Sequence, residues 1–286
     1  MSGNDPRPIG MFDSGLGGLT VVAELRRQLP GEDIIYFGDT ARVPYGTKSA
    51  ETVMRFARED CSFLLRFDPK MIVVACNTAS AHAMPALTEW LSIPACGVVE
   101  PGAAAAVAGA QGRTVAVIAT EGTIASDAYR RAIQARQPDL PVVQKGCPLL
   151  VPLVEEGRSC DDPVVQTVLA EYLEPLRALS PSVVVLGCTH YPMLKPGIAS
   201  VFGPETLLVD SAEQTATHVT RTLETLNGLS GRTSNGTFKC YLSDNPHRFQ
   251  TVGSRFLGQP ITDVVWVSPE LFFADSSEAI SSSAQR

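Results

Sequence analysis

Five short apolar runs punctuate the chain, and each breaks off into small or polar residues. Residues 9–12 lead into Asp13-Ser14-Gly15, 34–37 into Gly38-Asp39-Thr40, and 71–75 into Cys76-Asn77-Thr78. Residues 115–118 lead into Ala119-Thr120-Glu121-Gly122, and 183–186 into Gly187-Cys188-Thr189-His190. Four or five apolar residues without alternation suit strands covered on both faces, as in a parallel sheet. Between the runs, apolar residues recur at helical spacing. Val21, Val22, Leu25 and Leu29 form one stripe; Val53, Phe56, Ala57, Cys61 and Leu64 form a second. Val165, Val168, Leu169, Tyr172, Leu176 and Leu179 form the clearest, opened by an N-cap and N1 pair, Asp162-Pro163. Strand alternating with helix predicts an α/β fold.

An internal echo narrows this further. Val73-Val74-Ala75-Cys76-Asn77-Thr78 aligns with Val185-Leu186-Gly187-Cys188-Thr189-His190, and Met11-Phe12-Asp13-Ser14-Gly15 aligns more weakly with Ile118-Ala119-Thr120-Glu121-Gly122. Asp13 precedes Cys76 by 63 positions and Thr120 precedes Cys188 by 68. We read two similar parallel-sheet α/β lobes, each carrying one cysteine at the C-terminal end of a strand. Ligands of open α/β sheets sit at that end, so the expected site is the cleft between the lobes. At ~150 residues per domain, 286 residues also suggest two. Residues 228–235 read as a linker rich in Gly, Ser and Thr, followed by a strand over 238–242, a helix over 246–256 and a strand over 264–267.

Composition excludes several classes. Lys plus Arg is 23 against 30 for Asp plus Glu, giving −7, which argues against direct nucleic-acid binding. The start, Met1-Ser2-Gly3-Asn4-Asp5-Pro6, lacks a basic segment followed by an apolar run, and no stretch of about 20 apolar residues follows it, so no secretory signal or membrane contact is expected. The seven cysteines include no CxxC pair, which removes support for a zinc or redox motif. A cytoplasmic protein with reduced thiols and no metal is the expectation.

Cys61, Cys96, Cys147, Cys160 and Cys240 fit the usual role of free cysteine as a small buried hydrophobe. Cys76 and Cys188 differ, because each follows a buried strand and precedes hydroxyl, amide or imidazole groups. Backbone N–H groups of a following helix are expected to lower the pKa of such thiols. A single cysteine with a histidine suggests a covalent nucleophile. Two matched cysteines on facing lobes suggest a proton taken from one face of a carbon and returned to the other, as in racemisation or epimerisation. Asp13 fits an N-cap as well as an assisting acid. Tyr45-Gly46 reads as a turn, and Gly15, Gly17 and Thr20 do not make a dinucleotide loop. His190 stands two positions from Cys188, whereas His82, His218 and His247 read as structural or exposed. Glu155 and Glu156 read as a solvated pair at a helix end.

The motifs together resemble the glutamate racemase family. The matching segments are Phe12-Asp13-Ser14-Gly15-Leu16-Gly17-Gly18-Leu19-Thr20-Val21, Gly38-Asp39-Thr40, Pro44-Tyr45-Gly46 and Ala75-Cys76-Asn77-Thr78-Ala79-Ser80. Pro152-Leu153-Val154-Glu155 and Leu186-Gly187-Cys188-Thr189-His190-Tyr191-Pro192 complete the set, from about residue 8 to 267. The resemblance implies a cofactor-independent isomerase that interconverts L- and D-glutamate and feeds peptidoglycan synthesis and cell shape. It implies Cys76 and Cys188 as acid/bases, assisted by Asp13, His190 and Glu155. It implies substrate contacts from Asp13, Ser14, Tyr45, Gly46, Asn77, Thr78, Thr189 and His190. The implied domains are 1–98 with 210–268, then 99–209, with a flexible tail over 269–286. Homodimerisation and, as a side activity, contact with DNA gyrase are further expectations from the family. An aspartate racemase and a one-cysteine decarboxylase are the rival enzymes. A binding protein is the rival from another class.

Overall fold

In the computed structural model, which describes residues 4–273, ten strands form two wholly parallel sheets. The strands are β1 (Ile9–Asp13), β2 (Ile34–Gly38), β3 (Met71–Val74), β4 (Ala95–Gly97) and β5 (Val115–Ala119). They continue with β6 (Val142–Gly146), β7 (Val183–Gly187), β8 (Leu207–Asp210), β9 (Phe238–Leu242) and β10 (Val264–Trp266). One sheet runs β10-β9-β2-β1-β3-β4 and the other β6-β5-β7-β8. Each lobe therefore repeats one spatial order, second-first-third-fourth, as the internal echo requires. The fully buried strands β1, β3, β5 and β7 coincide with the continuous apolar runs.

Three strands escaped the sequence reading, and all three are sheet edges. β4 has only three residues, β6 is half-buried throughout, and β8 has one buried residue, Val209. An edge strand needs no unbroken apolar run, so its signal is weak.

After the second lobe the chain returns to the first. β9 pairs with β2, placing Phe238 opposite Ile34, and β10 extends the same sheet. The helix Ser211–Thr225 packs against both Leu19–Gln28 and Val99–Ala110. A buried ion pair, Lys70 with Glu32, anchors the linker, since Glu32 Oε1 also accepts the Ser230 N–H at 2.7 Å. The segment read as a flexible tail begins with a short helix, Pro269–Phe273, because Phe272 stacks on Phe37 with ring centroids 5.1 Å apart. Residues 274–286 of that segment lie outside the described residues. No helix among the described residues is long and apolar enough to cross a membrane.

Candidate active site

Cys76 follows β3 and caps the helix Asn77–Trp90, its sulfur accepting the Ala79 N–H at 3.4 Å. Its Sγ also lies 3.6 Å from Ser14 Oγ. Sequence reasoning expected this N-terminal position to lower the thiol pKa; the structure reverses that. Burial, reinforced by the nearby Asp13 carboxylate, outweighs the N–H contacts and pushes the Cys76 thiol up to about 12. Asp13 ends β1 and caps no helix: its Oδ2 accepts the Gly15 N–H at 2.8 Å, while Gly18 caps the helix Leu19–Gln28. Burial also raises the Asp13 carboxyl, against the opposing charge of His190. The second oxygen, Oδ1, is buried with no partner among the described residues.

Cys188 follows β7, but the next element is a single 3-10 turn, Tyr191–Leu194, not an α-helix. Its polar neighbour is a side chain instead: Sγ lies 3.9 Å from His190 Nδ1. His190 Nε2 faces Glu155 Oε1 at 3.0 Å. Burial disfavours the imidazolium, yet the hydrogen bonds and charges of Cys188 and Glu155 prevail and raise His190 to about 10. The imidazole is thus cationic at neutral pH. Glu155 is held below the usual carboxylate range, with burial opposed by His190 and by Arg248. The acidic pair at a helix end is therefore split, because Glu155 turns inward and Glu156 stays exposed.

Both thiols line one cleft of about 390 Å3. Ser14, Tyr45, Gly46, Asn77, Thr78, Glu155, Thr189 and His190 line it as well, and Asp13 lies beneath the lining. Tyr45 reaches the cleft, but its hydroxyl is engaged elsewhere, by Asp39 and, at 2.9 Å, by Asp60. Arg42 donates to both of those carboxylates as well, to Asp60 Oδ1 at 2.8 Å, and burial and the neighbouring Asp39 still raise Asp60 well above its ordinary value.

Asn77 joins the lobes, since its Oδ1 accepts the Tyr129 hydroxyl at 2.7 Å. Its Nδ2 is buried without a partner among the described residues, leaving a donor at the cleft. Among the described residues no Lys or Arg lines the cleft, so an anionic ligand would be met by hydroxyls, amides and the start of the helix Asn77–Trp90. Among the described residues no cluster of three His, Cys, Asp or Glu side chains is placed to hold a metal ion.

Thr120 was missed as a site residue. It stands just past β5, at the position the internal echo matches to Asp13, and its Oγ1 lies 2.9 Å from Thr78 Oγ1 across the cleft. The echo carried that signal. Gly17 explains how closely the lobes approach: a Cβ there would collide with Thr189 Oγ1 and lie 2.6 Å from the His190 ring.

Comparison with known proteins agrees with this geometry. Residues 10–219 match the family described as Asp/Glu/Hydantoin racemase. A glutamate racemase from Geobacter metallireducens is 52% identical over 264 residues, covering 92% of this chain and 97% of that protein. The crystal structure of glutamate racemase isoform RacE1 from Bacillus anthracis superposes with a TM-score of 0.87 at 39% identity, covering 91% of this chain and 97% of that one. Glutamate racemase from Francisella tularensis, solved with D-glutamate, gives 0.86 at 39% identity, covering 92% and 98%.

Proposed function

The chain belongs to the Asp/Glu/Hydantoin racemase family, and from that premise we propose that it interconverts L- and D-glutamate by proton transfer between two cysteines. The observation that carries this reading is the presence of one thiol from each lobe in a single cleft. Cys188, as thiolate, takes the Cα proton of L-glutamate. The electron pair stays on Cα and spreads into the adjoining carboxylate. The Cys76 thiol then delivers its proton to the opposite face, giving D-glutamate and a Cys76 thiolate. The reverse direction exchanges the two roles.

Two features support the assignment. A thiol raised to about 12 is still protonated at neutral pH, the form a proton donor requires. On the other side, cationic His190 puts a positive charge beside the Cys188 sulfur. An α-proton is a very weak acid, so fixed dipoles in an enclosed site must stabilise the carbanion-like transition state. The unpaired Asn77 amide, the threonine hydroxyls and the helix start at Cys76 suit a dicarboxylate despite the overall charge of −7.

The same reading has the enzyme act in the cytoplasm, supplying D-glutamate for peptidoglycan. It also divides the chain into 1–98 with 210–268 and 99–209, a division that the sheet membership of the strands supports. Incubation with L-glutamate or L-aspartate without added cofactor, followed by chiral chromatography, tests the substrate. D-glutamate is expected; D-aspartate alone would redirect the assignment.

A further inference from the structure

The Cys188 half of the site is also reached from the other lobe. The helix Pro246–Leu257 lies between β9 and β10, both strands of the six-stranded sheet. Near its start, Arg248 Nη2 donates to Glu155 Oε2 at 3.1 Å. Glu155 ends the helix Leu150–Glu155 of the opposite lobe, and its other oxygen faces His190. Near the end of the same helix, Phe256 sets its ring edge-on to the imidazole, with centroids 5.2 Å apart and planes at 79°. Beside Glu155, Gly157 has φ +89°, and a Cβ there would come 2.8 Å from Arg255 Nη1. One helix therefore brings Arg248 and Phe256 to the Glu155–His190 pair, and Arg255 to the neighbouring Gly157.

We propose that Arg248 is a positioning residue: by clamping Glu155 from the opposite lobe, it fixes His190 beside the Cys188 sulfur. The proposal rests on the two-thiol reading above. A carboxylate tied through one oxygen can still rotate, and the Glu155 side chain keeps 27% of its surface exposed. A donor on the second oxygen removes that freedom. The Arg248 side chain is 57% exposed, so the ion pair adds little to stability and its effect is orientation. The charged or titratable groups facing His190 are Cys188 and Glu155 from its own lobe and Asp13 from the other. Arg248 acts on it through Glu155.

The test is a double-mutant cycle with a substrate-free readout. Arg248→Ala should lower kcat/KM for glutamate about tenfold, the scale of one lost hydrogen bond to a charged group. Racemisation has an equilibrium constant of one, so the loss is the same from either enantiomer. Arg248→Lys should recover part of it. In a Glu155→Ala background, Arg248→Ala should cost nothing further. Nitrogen-15 NMR of the histidine ring should show the His190 titration midpoint falling in Arg248→Ala, with the thermal midpoint unchanged. Equal losses in both backgrounds, or a His190 midpoint that stays or rises, would overturn the proposal. If the wild-type chain did not racemise glutamate, the catalytic reading would fail, while the His190 titration would still decide the role of Arg248.

Discussion

His190 Nε2 and Glu155 Oε1 lie 3.0 Å apart, and this contact helps keep the imidazole charged beside the Cys188 sulfur. Glu155→Gln preserves the shape and removes the charge. The His190 pKa should then fall from about 10 toward its ordinary 6.5. The pH profile of kcat should shift with it. A His190 titration that does not move would remove Glu155 from this role.

The same imidazole sets a dependence of stability on pH. Its pKa is raised on folding, so the native state holds a proton that the unfolded chain releases between about 6.5 and about 10. This contribution is full below pH ~6.5 and drains away as pH rises through ~10. The difference in urea-unfolding free energy between wild type and His190→Asn should shrink across that window. Titrating groups that do not interact with His190 are common to both proteins and cancel in the difference.

Gly17 is a steric necessity where the lobes meet. Gly17→Ala would drive a methyl group into the Thr189 hydroxyl and the His190 ring, two buried side chains that line the cleft and would have to shift. Overpacking of this kind costs about 1–3 kcal/mol. The expected result is a loss of kcat/KM larger than the loss of thermal stability, since the displaced residues flank Cys188. Full activity in this variant would show that the lobes stand farther apart.

Tyr129 and Asn77 link the lobes by one hydrogen bond. Tyr129→Phe keeps the ring and leaves the Asn77 Oδ1 acceptor buried without a donor, at a cost of about 1–3 kcal/mol. Denaturant unfolding should show that loss, and KM should rise because Asn77 opens the helix behind Cys76. An unchanged unfolding free energy would mean that the amide finds another donor.

What the sequence made legible follows from how each signal is encoded. The central strands β1, β3, β5 and β7 are buried along their whole length, so composition alone marks them. Cys76, Cys188 and His190 stood out because they end those strands. The edge strands β4, β6 and β8 lack that mark. The Cys76 thiol was misjudged because its N-terminal position is a local property, whereas its burial and the proximity of Asp13 come from tertiary packing. Arg248 was invisible for the same reason. It lies 93 positions from Glu155, on a helix that only the return of the chain brings across the cleft.

Proton traffic at Cα distinguishes a two-thiol mechanism most directly. L-glutamate incubated in heavy water without added cofactor should lose optical rotation as D-glutamate forms carrying deuterium at Cα. Cys76→Ala and Cys188→Ala should each abolish that conversion. D-glutamate formed without solvent deuterium, or full racemisation with either thiol missing, would contradict proton transfer between Cys76 and Cys188.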